Sequence, residues 1–572
     1  MRFPFTCLLL FFHCMLWSQA TRYQVIIDEI MADPSPQVLL VGGLPEAEYV
    51  ELRNISPLTI DLFNWKLGDA TSTATIGVHF LLKPDSFVVI CPSAFTQAFT
   101  LLGSTIGVSN FPSLDNNHDL ITLKSKEGIT ISAVEYSSEW FTNVVKAQGG
   151  WSLEMIDTKS YCVGEGNWTA SKDKKGGTPG KANSVNASNP DKEPPRLLRS
   201  FATDSLNLTC IFNEPLESSA VLQANYKLSK SGLSILSAQL VDPLFNRITC
   251  VLSSPLKPNE IIELTTSNIR DCSGNSIAGN VSVKTGLSVY PDTPALVINE
   301  VLFNPVSPGV DYVELLNYGS SIIDLKDVRL ANRSPSMVTG SIKTITTESW
   351  LLYPGEYCLL TESLEMVTRQ FIVRGAAATI QLISLPSFPD EKGTVVITNT
   401  NGRIIDELSY DEKWHFKLIS NREGIALERI SPGKPTRDPS NWHSASGSSG
   451  YGTPGYLNSQ SGATEAFDGT ISIRPRIFSP DNDGIDDFLT LNYQFSEPGS
   501  VCNVTVYDLA GKIVRKLAMN LLCGIEGYLR WDGLDLQNRK AGSGIYIIVT
   551  DTFTLAGKTR RFKNTVVIGA KG

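Results

Sequence analysis

Four carboxylates, Asp481, Asp483, Asp486 and Asp487, fall within seven residues around Gly484. Oxygen donors at that density, with a glycine to allow a sharp bend, could ligate Ca2+. The spacing is not that of an EF-hand: Thr490 stands where a bidentate glutamate belongs. The competing reading is an Asx-turn, in which these side chains accept from nearby backbone N–H groups. Glu29, Glu51, Glu300 and Glu314 form a second recurring set and could suggest paired catalytic carboxylates. Each sits in a stretch alternating apolar and polar residues, where a solvent-facing or edge-capping carboxylate is expected. Asp61 and Asp324 read as turn residues. Beyond the N-terminal segment the histidines are His79, His118, His415 and His443. His415 follows Trp414 and His443 follows Trp442, but Phe141 and Thr169 take those places in the matching part of the chain, which argues against a shared zinc or catalytic role. No GxSxG, HExxH or Walker-type loop occurs, so no catalytic residue is assigned.

The elements that must position these groups come in an ordered repeat. Val25-Ile-Ile-Asp-Glu-Ile30, Tyr49-Val-Glu-Leu52 and Ile60-Asp-Leu62 return as Leu296-Val-Ile-Asn-Glu-Val301, Tyr312-Val-Glu-Leu315 and Ile323-Asp-Leu325. Leu81-Leu82, Tyr136, Trp140, Asn167-Trp168 and Gly177-Thr-Pro-Gly180 likewise return as Leu351-Leu352, Tyr410, Trp414, Asn441-Trp442 and Gly452-Thr-Pro-Gly455. Two copies of one domain follow. Alternation with period two predicts strands, Lys126-Glu-Gly128 and Thr400-Asn-Gly402 predict hairpin turns, and one short helix per copy is expected near 93–101 and 361–371. Trp168 and Trp442 could be exposed platforms, but packing of the sandwich end is the stronger expectation. The polar stretch 334–350, longer than its counterpart, suits partner recognition.

Composition bounds the rest. At about 150 residues per domain, 572 residues suggest about four domains. With 42% hydrophobic and 19% charged residues the chain should fold rather than stay disordered. A net charge of −9 gives no basic field for nucleic acid. Met1-Arg2, the apolar run 7–17 and Ser18-Gln-Ala20 predict a signal peptide over 1–20, too short to span a bilayer. Eight cysteines follow it, an even number that permits disulfides in an exported chain. Cys502 with Cys523 and Cys210 with Cys250 are plausible local pairs, buried free thiols the alternative. Asn183–Pro195 and the Gly/Ser-rich 444–470 read as linkers, the second flexible.

The ordered motifs Asn-Glu-Val, Tyr-Val-Glu-Leu-x-Asn, Ile-Asp-Leu, Pro-Gly-Glu-Tyr, Asn-Trp and Gly-Thr-Pro-Gly resemble the lamin tail domain of secreted bacterial proteins. The second copy matches best; the first has Asp28 for Asn299 and Lys83-Pro-Asp85 for Pro354-Gly-Glu356. The resemblance implies immunoglobulin-like sandwiches serving interaction or adhesion. Residues 194–289, with Asn213-Glu-Pro-Leu216 and Asp271-Cys-Ser-Gly-Asn275, resemble bacterial immunoglobulin-like spacers. Phe478-Ser-Pro-Asp481, Val504-Thr-Val-Tyr-Asp508, Trp531-Asp-Gly533 and Gly544-Ile-Tyr546 resemble the C-terminal sorting domains of Bacteroidetes gliding-motility-associated proteins and the flagellar hook-cap immunoglobulin-like domain.

The expected organisation is all-β, a tandem of antiparallel immunoglobulin-like β-sandwiches joined by short linkers. The segments are the signal peptide (1–20), a first lamin-tail-like domain (23–183), an immunoglobulin-like domain (194–289), a second lamin-tail-like domain (294–458) and a sorting domain (471–572). The expected function is non-catalytic binding or adhesion outside the cell or at the outer-membrane surface. Secretion machinery of a type IX-like system would engage the C-terminal domain, and an extracellular protein or glycan would be the ligand. Nucleic acid is not expected as a partner. The alternative is an accessory or catalytic component of an exported hydrolase or nuclease.

Overall fold

Strand sequences such as Val25–Met31 and Leu296–Leu302 are buried along their whole length, although each carries acidic or amide side chains among its aliphatic ones. A strand can be buried throughout only where both faces of its sheet are covered, and this decides how the molecule is layered. The computed structural model describes residues 20–36, 43–292, 295–334, 336, 338–375, 379–417, 419, 421–461, 469–495, 497–554 and 558–569. The predicted signal peptide lies, but for Ala20, outside the described residues. Among the described residues, no helix is long and apolar enough to cross a membrane.

The chain divides into two compact units, Met1–Pro255 with Ile262–Thr285, and Leu256–Ile261 with Gly286–Gly572. In the first unit a six-stranded sheet runs in the order Trp168–Ala170, Leu153–Met155, Val25–Met31, Tyr49–Asn54, Phe87–Pro92, Thr105–Val108. A four-stranded sheet of Thr130–Ser137, His118–Lys124, Lys66–Gly68 and Thr73–Thr75 shares one apolar core with it, including Ile30, Val50, Leu52, Val88, Leu67, Ile121 and Leu123. The opposite face of the larger sheet is also covered, by a smaller cluster of Met31, Leu44, Tyr49, Val89, Cys91 and Phe99. Leu197–Ala202, Asn207–Phe212, Arg247–Leu252 and Ile235–Leu240 form a further sheet, accompanied by a three-stranded one of Tyr226–Leu228, Ile261–Thr266 and Val281–Gly286. The Cys162–Cys272 disulfide ties this second pair of sheets to the first.

In the second unit a sandwich of six- and four-stranded sheets repeats that of the first strand for strand. Its six-stranded sheet runs Thr379–Gln381, Tyr357–Thr361, Tyr312–Asn317, Leu296–Leu302, Leu427–Arg429, Trp442–Ser444, and its four-stranded sheet Thr339–Thr344, Val328–Arg333, Lys392–Asn399, Ile404–Asp411. The same two-sided burial recurs, with Leu302, Tyr312, Leu359, Val367, Phe371 and Ala426 on the far face. The last sandwich pairs a three-stranded sheet of Thr470–Arg474, Leu489–Gln494 and Glu526–Trp531 with a five-stranded one containing Ile477–Phe478, Thr559–Ile568, Gly544–Phe553, Val501–Asp508 and Ile513–Leu522. The molecule is all-β with short helices, as the alternation predicts, and its sheets are antiparallel except for one parallel pairing in each six-stranded sheet and one in the five-stranded sheet. The helices Thr96–Thr100 and Leu364–Gln370 and the turns at Gly128 and Gly402, both at positive φ, stand where the sequence placed them.

One sequence expectation is corrected. Residues 444–461 are not a flexible linker: Ser444, Ser446, Asn458 and Gln460 are buried; residues 462–468 lie outside the described residues. In the linker Asn183–Pro195, Asn183 donates to two backbone carbonyls, and Asn189 is bonded to Asp157 and Asn167. Within the polar stretch 334–350 the chain forms an edge strand, Thr339–Thr344. In 183–195 and 444–461 small polar residues that read as solvated are hydrogen-bonded to the sandwich.

Candidate functional site

In each unit one strand bulges just before a glutamate. Val25–Met31 pairs with Tyr49–Asn54 as Ile27 with Leu52 and then Glu29 with Glu51, leaving Asp28 as the extra residue. Leu296–Leu302 does the same: Ile298 meets Leu315, Glu300 meets Glu314, and Asn299 is extra. Across the other edge Glu29 lies opposite Glu154, and Glu300 opposite Glu428. Three neighbouring strands therefore carry a row of three glutamates, Glu154–Glu29–Glu51 in one unit and Glu428–Glu300–Glu314 in the other.

All six side chains have 0% exposure. The expectation that Glu29, Glu51, Glu300 and Glu314 face solvent or cap an edge is therefore wrong. Alternation separates two faces of a strand but does not say which of them water reaches, and here the polar face is roofed. The roof is the Gly-Thr-Pro-Gly turn and the residues after it. Thr178 N–H donates to Glu29 Oε1 at 2.7 Å, Gly180 N–H to Glu51 Oε2 at 2.5 Å, and Ser184 Oγ and Val185 N–H to Glu154 Oε2 at 2.7 and 3.1 Å. In the second unit Thr453 N–H donates to Glu300 Oε1 at 2.9 Å, Gly455 N–H to Glu314 Oε2, and Ser459 Oγ and Gln460 N–H to Glu428 Oε2 at 2.8 and 2.9 Å. Tyr49 and Tyr312 add hydroxyl donors to Glu29 and Glu300 at 2.7 and 2.6 Å. Asn183 and Asn458 each donate to two strand carbonyls below the turn.

Thr453 Oγ1 lies 2.8 Å from both Glu300 Oε2 and Glu428 Oε1. A hydroxyl has a single proton to give, so a carboxyl must donate the other hydrogen bond. One member of that pair is therefore protonated. Burial, and then the neighbouring Glu428 charge, pushes Glu300 up to about 8, and burial with Glu154 does the same for Glu29. Glu51 and Glu314 are also raised well above the carboxylate range, first by burial and then by Glu29 and Glu300. At the bulge the two units differ. Asn299 Nδ2 donates to Glu314 Oε1 at 2.7 Å, whereas neither oxygen of Asp28 nor Glu51 Oε1 has a hydrogen-bond partner among the described residues. Burial raises Asp28 to about 7, with Arg53 opposing the rise.

Enclosed in this way, the rows fasten the end of each sandwich to its sheet and offer no oxygen to a substrate. The sequence reading missed Glu154, Glu428, Asn183 and Asn458. The signal was present in the repeat, as Leu153-Glu154 against Leu427-Glu428 and Asn183-Ser184 against Asn458-Ser459.

The acidic turn of the last sandwich brings together three of its four residues. Asp481, Asp483 and Asp487 each place a carboxylate oxygen within 4.8 Å of the others, and Asp486 stays outside the group. Asp487 accepts from Asn482 N–H and Gly484 N–H at 2.6 and 2.9 Å, Asp481 from Asp483 N–H at 3.2 Å, and Asp483 from Ile485 N–H at 2.9 Å. The Asx-type bonding is present, and it involves the same three carboxylates that a hard cation would take. A second acidic group, not foreseen, gathers Asp191, Glu214 and Asp271 within the same 4.8 Å span. Burial first, then Asp271 and Asp191, pushes Glu214 up to about 7. Asp271 anchors the Asp-Cys-Ser-Gly-Asn turn through Asn275.

Other candidates resolve into structure. Trp168 and Trp442 are 3% exposed and belong to the main cores. Asp61 accepts from Phe63 and Phe80 N–H, and Asp324 from Lys326 and Trp350 N–H, as turn residues should. His415 is buried against Ser444 Oγ at 2.9 Å and pushed down to about 4, first by burial and then by Arg422. A cleft of about 220 Å3 lined by Phe416, Gly499, Val501, Asn520, Phe553 and Thr554 is smaller than ordinary small-molecule sites.

The lamin tail domain family model matches residues 18–138, about a fifth of the chain. No curated protein matches in sequence. Among solved structures the N-terminal part of the bacterial S-layer protein SbsC is similar at 11% identity and TM-score 0.16, covering 38% of this chain and 43% of that one. A longer SbsC structure is covered over 55% of its length, so the chain spans about half of these relatives. A DUF4876 family protein from Bacteroides thetaiotaomicron is similar at 11% identity and TM-score 0.19 over 38% of this chain and 92% of that one. Likenesses this distant carry no functional inference.

Proposed function

We propose that the chain is a non-catalytic protein of the cell exterior that presents two lamin-tail-like sandwiches to an extracellular protein or glycan. In this reading residues 194–289 act as a spacer, and the sandwich over 471–572 is the module read by a type IX-like export system, leaving the protein released or held at the outer-membrane surface. The observation that carries the reading is the fate of the recurring carboxylates. The acid pairs that could have done hydrolysis are buried under the Gly-Thr-Pro-Gly turns, whose backbone and hydroxyl donors bind at least one oxygen of each glutamate. The family match at 18–138 supports the first sandwich as a lamin tail domain, and the shared strand order extends the idea to the second.

Two like modules on one chain can bind with avidity, since the second contact is intramolecular once the first is made. Binding of the full chain to host-surface extracts and immobilised glycans should fall at least about tenfold when either 23–183 or 294–458 is deleted. Undiminished binding after either deletion overturns the display reading. Turnover of polysaccharide or nucleic acid by the purified chain, abolished in Glu51→Gln or Glu314→Gln, overturns the non-catalytic one.

A further inference from the structure

The last sandwich contains two thiols pressed together in its core. Cys502 lies on Val501–Asp508, with Leu521 as its cross-strand partner, and Cys523 follows the end of Ile513–Leu522, its N–H bonded to the Ser500 carbonyl. The two sulfurs are 3.2 Å apart, the residues 1% and 0% exposed. A disulfide needs about 2.05 Å, so closing the gap asks for a shift of little more than an ångström, shared between two side chains. Elsewhere the same chain already holds a disulfide, Cys162–Cys272, which marks it as a protein that folds where thiols are oxidised.

We propose that Cys502 and Cys523 form a second disulfide, set while the C-terminal sandwich folds and sealed afterwards. One cysteine thiolate attacks a sulfur of a thiol–disulfide oxidant outside the cytoplasm. It forms a mixed disulfide and releases the oxidant's other sulfur as a thiolate. The second cysteine thiolate then attacks its partner's sulfur and displaces the rest of the oxidant. Two thiol protons and two electrons leave the protein, and the oxidant's disulfide ends as a dithiol. Neither sulfur can be reached by an oxidant once the sheets have closed, so the exchange precedes packing. The bridge would join two strands 21 residues apart, and it locks the edge strand Ile513–Leu522 to its neighbour at the end where regular pairing stops. Cys91 and Cys358, also buried, serve as free-thiol references.

The test uses the full chain, isolated from outside the cytoplasm of an expressing bacterium, denatured in a thiol-blocking reagent and digested without reduction. Mass spectrometry should find the Cys502 and Cys523 peptides joined and two hydrogens lighter than the pair of thiols, beside an intact Cys162–Cys272 link and blocked Cys91 and Cys358. Blocked Cys502 and Cys523 in molecules where Cys162–Cys272 is intact overturn the proposal, because the oxidant was then demonstrably present. A second measurement compares melting after refolding with and without reductant in the Cys162→Ser/Cys272→Ser background. Reductant should lower the second unit's Tm by about 10 °C, and adding Cys502→Val and Cys523→Val should abolish that dependence. A second-unit Tm indifferent to reductant in the Cys162→Ser/Cys272→Ser background overturns it equally.

Discussion

Asp28 and Asn299 hold the same bulge position with different chemistry, and this difference is measurable. Asn299 gives Glu314 a donor, whereas Asp28 meets Glu51 as a second acid with no hydrogen-bond partner among the described residues. The Asp28 pKa rises from 3.8 to about 7, so the folded state binds its proton more tightly than the unfolded chain. Its contribution is present at low pH and is lost as pH rises from about 4 through about 7. Asp28→Asn should therefore melt close to the parent at pH 4 and above it at pH 8, the gap opening within that window. A gap independent of pH would contradict the assignment. Thr453 makes a companion test. Thr453→Val removes the hydroxyl bridging Glu300 and Glu428 and should cost about 2–3 kcal/mol in denaturant unfolding, with Thr453→Ser recovering most of it.

At the scale of elements, each of the two repeated sandwiches ends in a turn clasped to a carboxylate row, and the clasp has its own pH dependence. Glu29 and Glu300 rise from 4.5 to about 8, so each sandwich should lose stability as pH climbs from about 4.5 through about 8, the reverse of a salt-bridged carboxylate. The turn itself depends on Gly455, at φ +86°, where a Cβ would strike the Arg374 carbonyl. Gly455→Ala should free the turn, seen as faster amide exchange at Thr453 and Gly455 while Val395–Ile397 in the core keep their protection. Much of this architecture is legible in the sequence. The repeat and its alternation locate the strands, and Gly-Thr-Pro-Gly stands out as the last shared motif of each copy. The direction the glutamates face was not legible, because a covered polar face and a solvated one have the same period. Nor was the role of 444–461, where serines and asparagines that look like linker composition are the donors satisfying buried carboxylates. Glu154 and Glu428 escaped notice because their strands are three residues long, too short for a periodic signal.

The whole molecule is two units in one chain, and the cross-link inside the first tests that division. Cys162 and Cys272 are 110 residues apart, a distance in sequence that no local pattern reveals. In the chain-entropy picture, closing a loop of that length stabilises the folded unit by about 4–5 kcal/mol. The bond also holds together two pairs of sheets that otherwise meet through smaller contacts, among them Arg22 over the Phe245 ring and Lys124 with Asp242. Cys162→Ser/Cys272→Ser should therefore lower the melting of the first unit by about 10 °C or more, or split it into two calorimetric transitions, one per pair of sheets. The second unit, which contains neither cysteine, should melt where it did before. The substitution is preferable to reductant, which would also act on Cys502 and Cys523. A parallel drop in both units would mean that they unfold as one body, and the modules of the display reading would then have to be treated as coupled rather than strung in series.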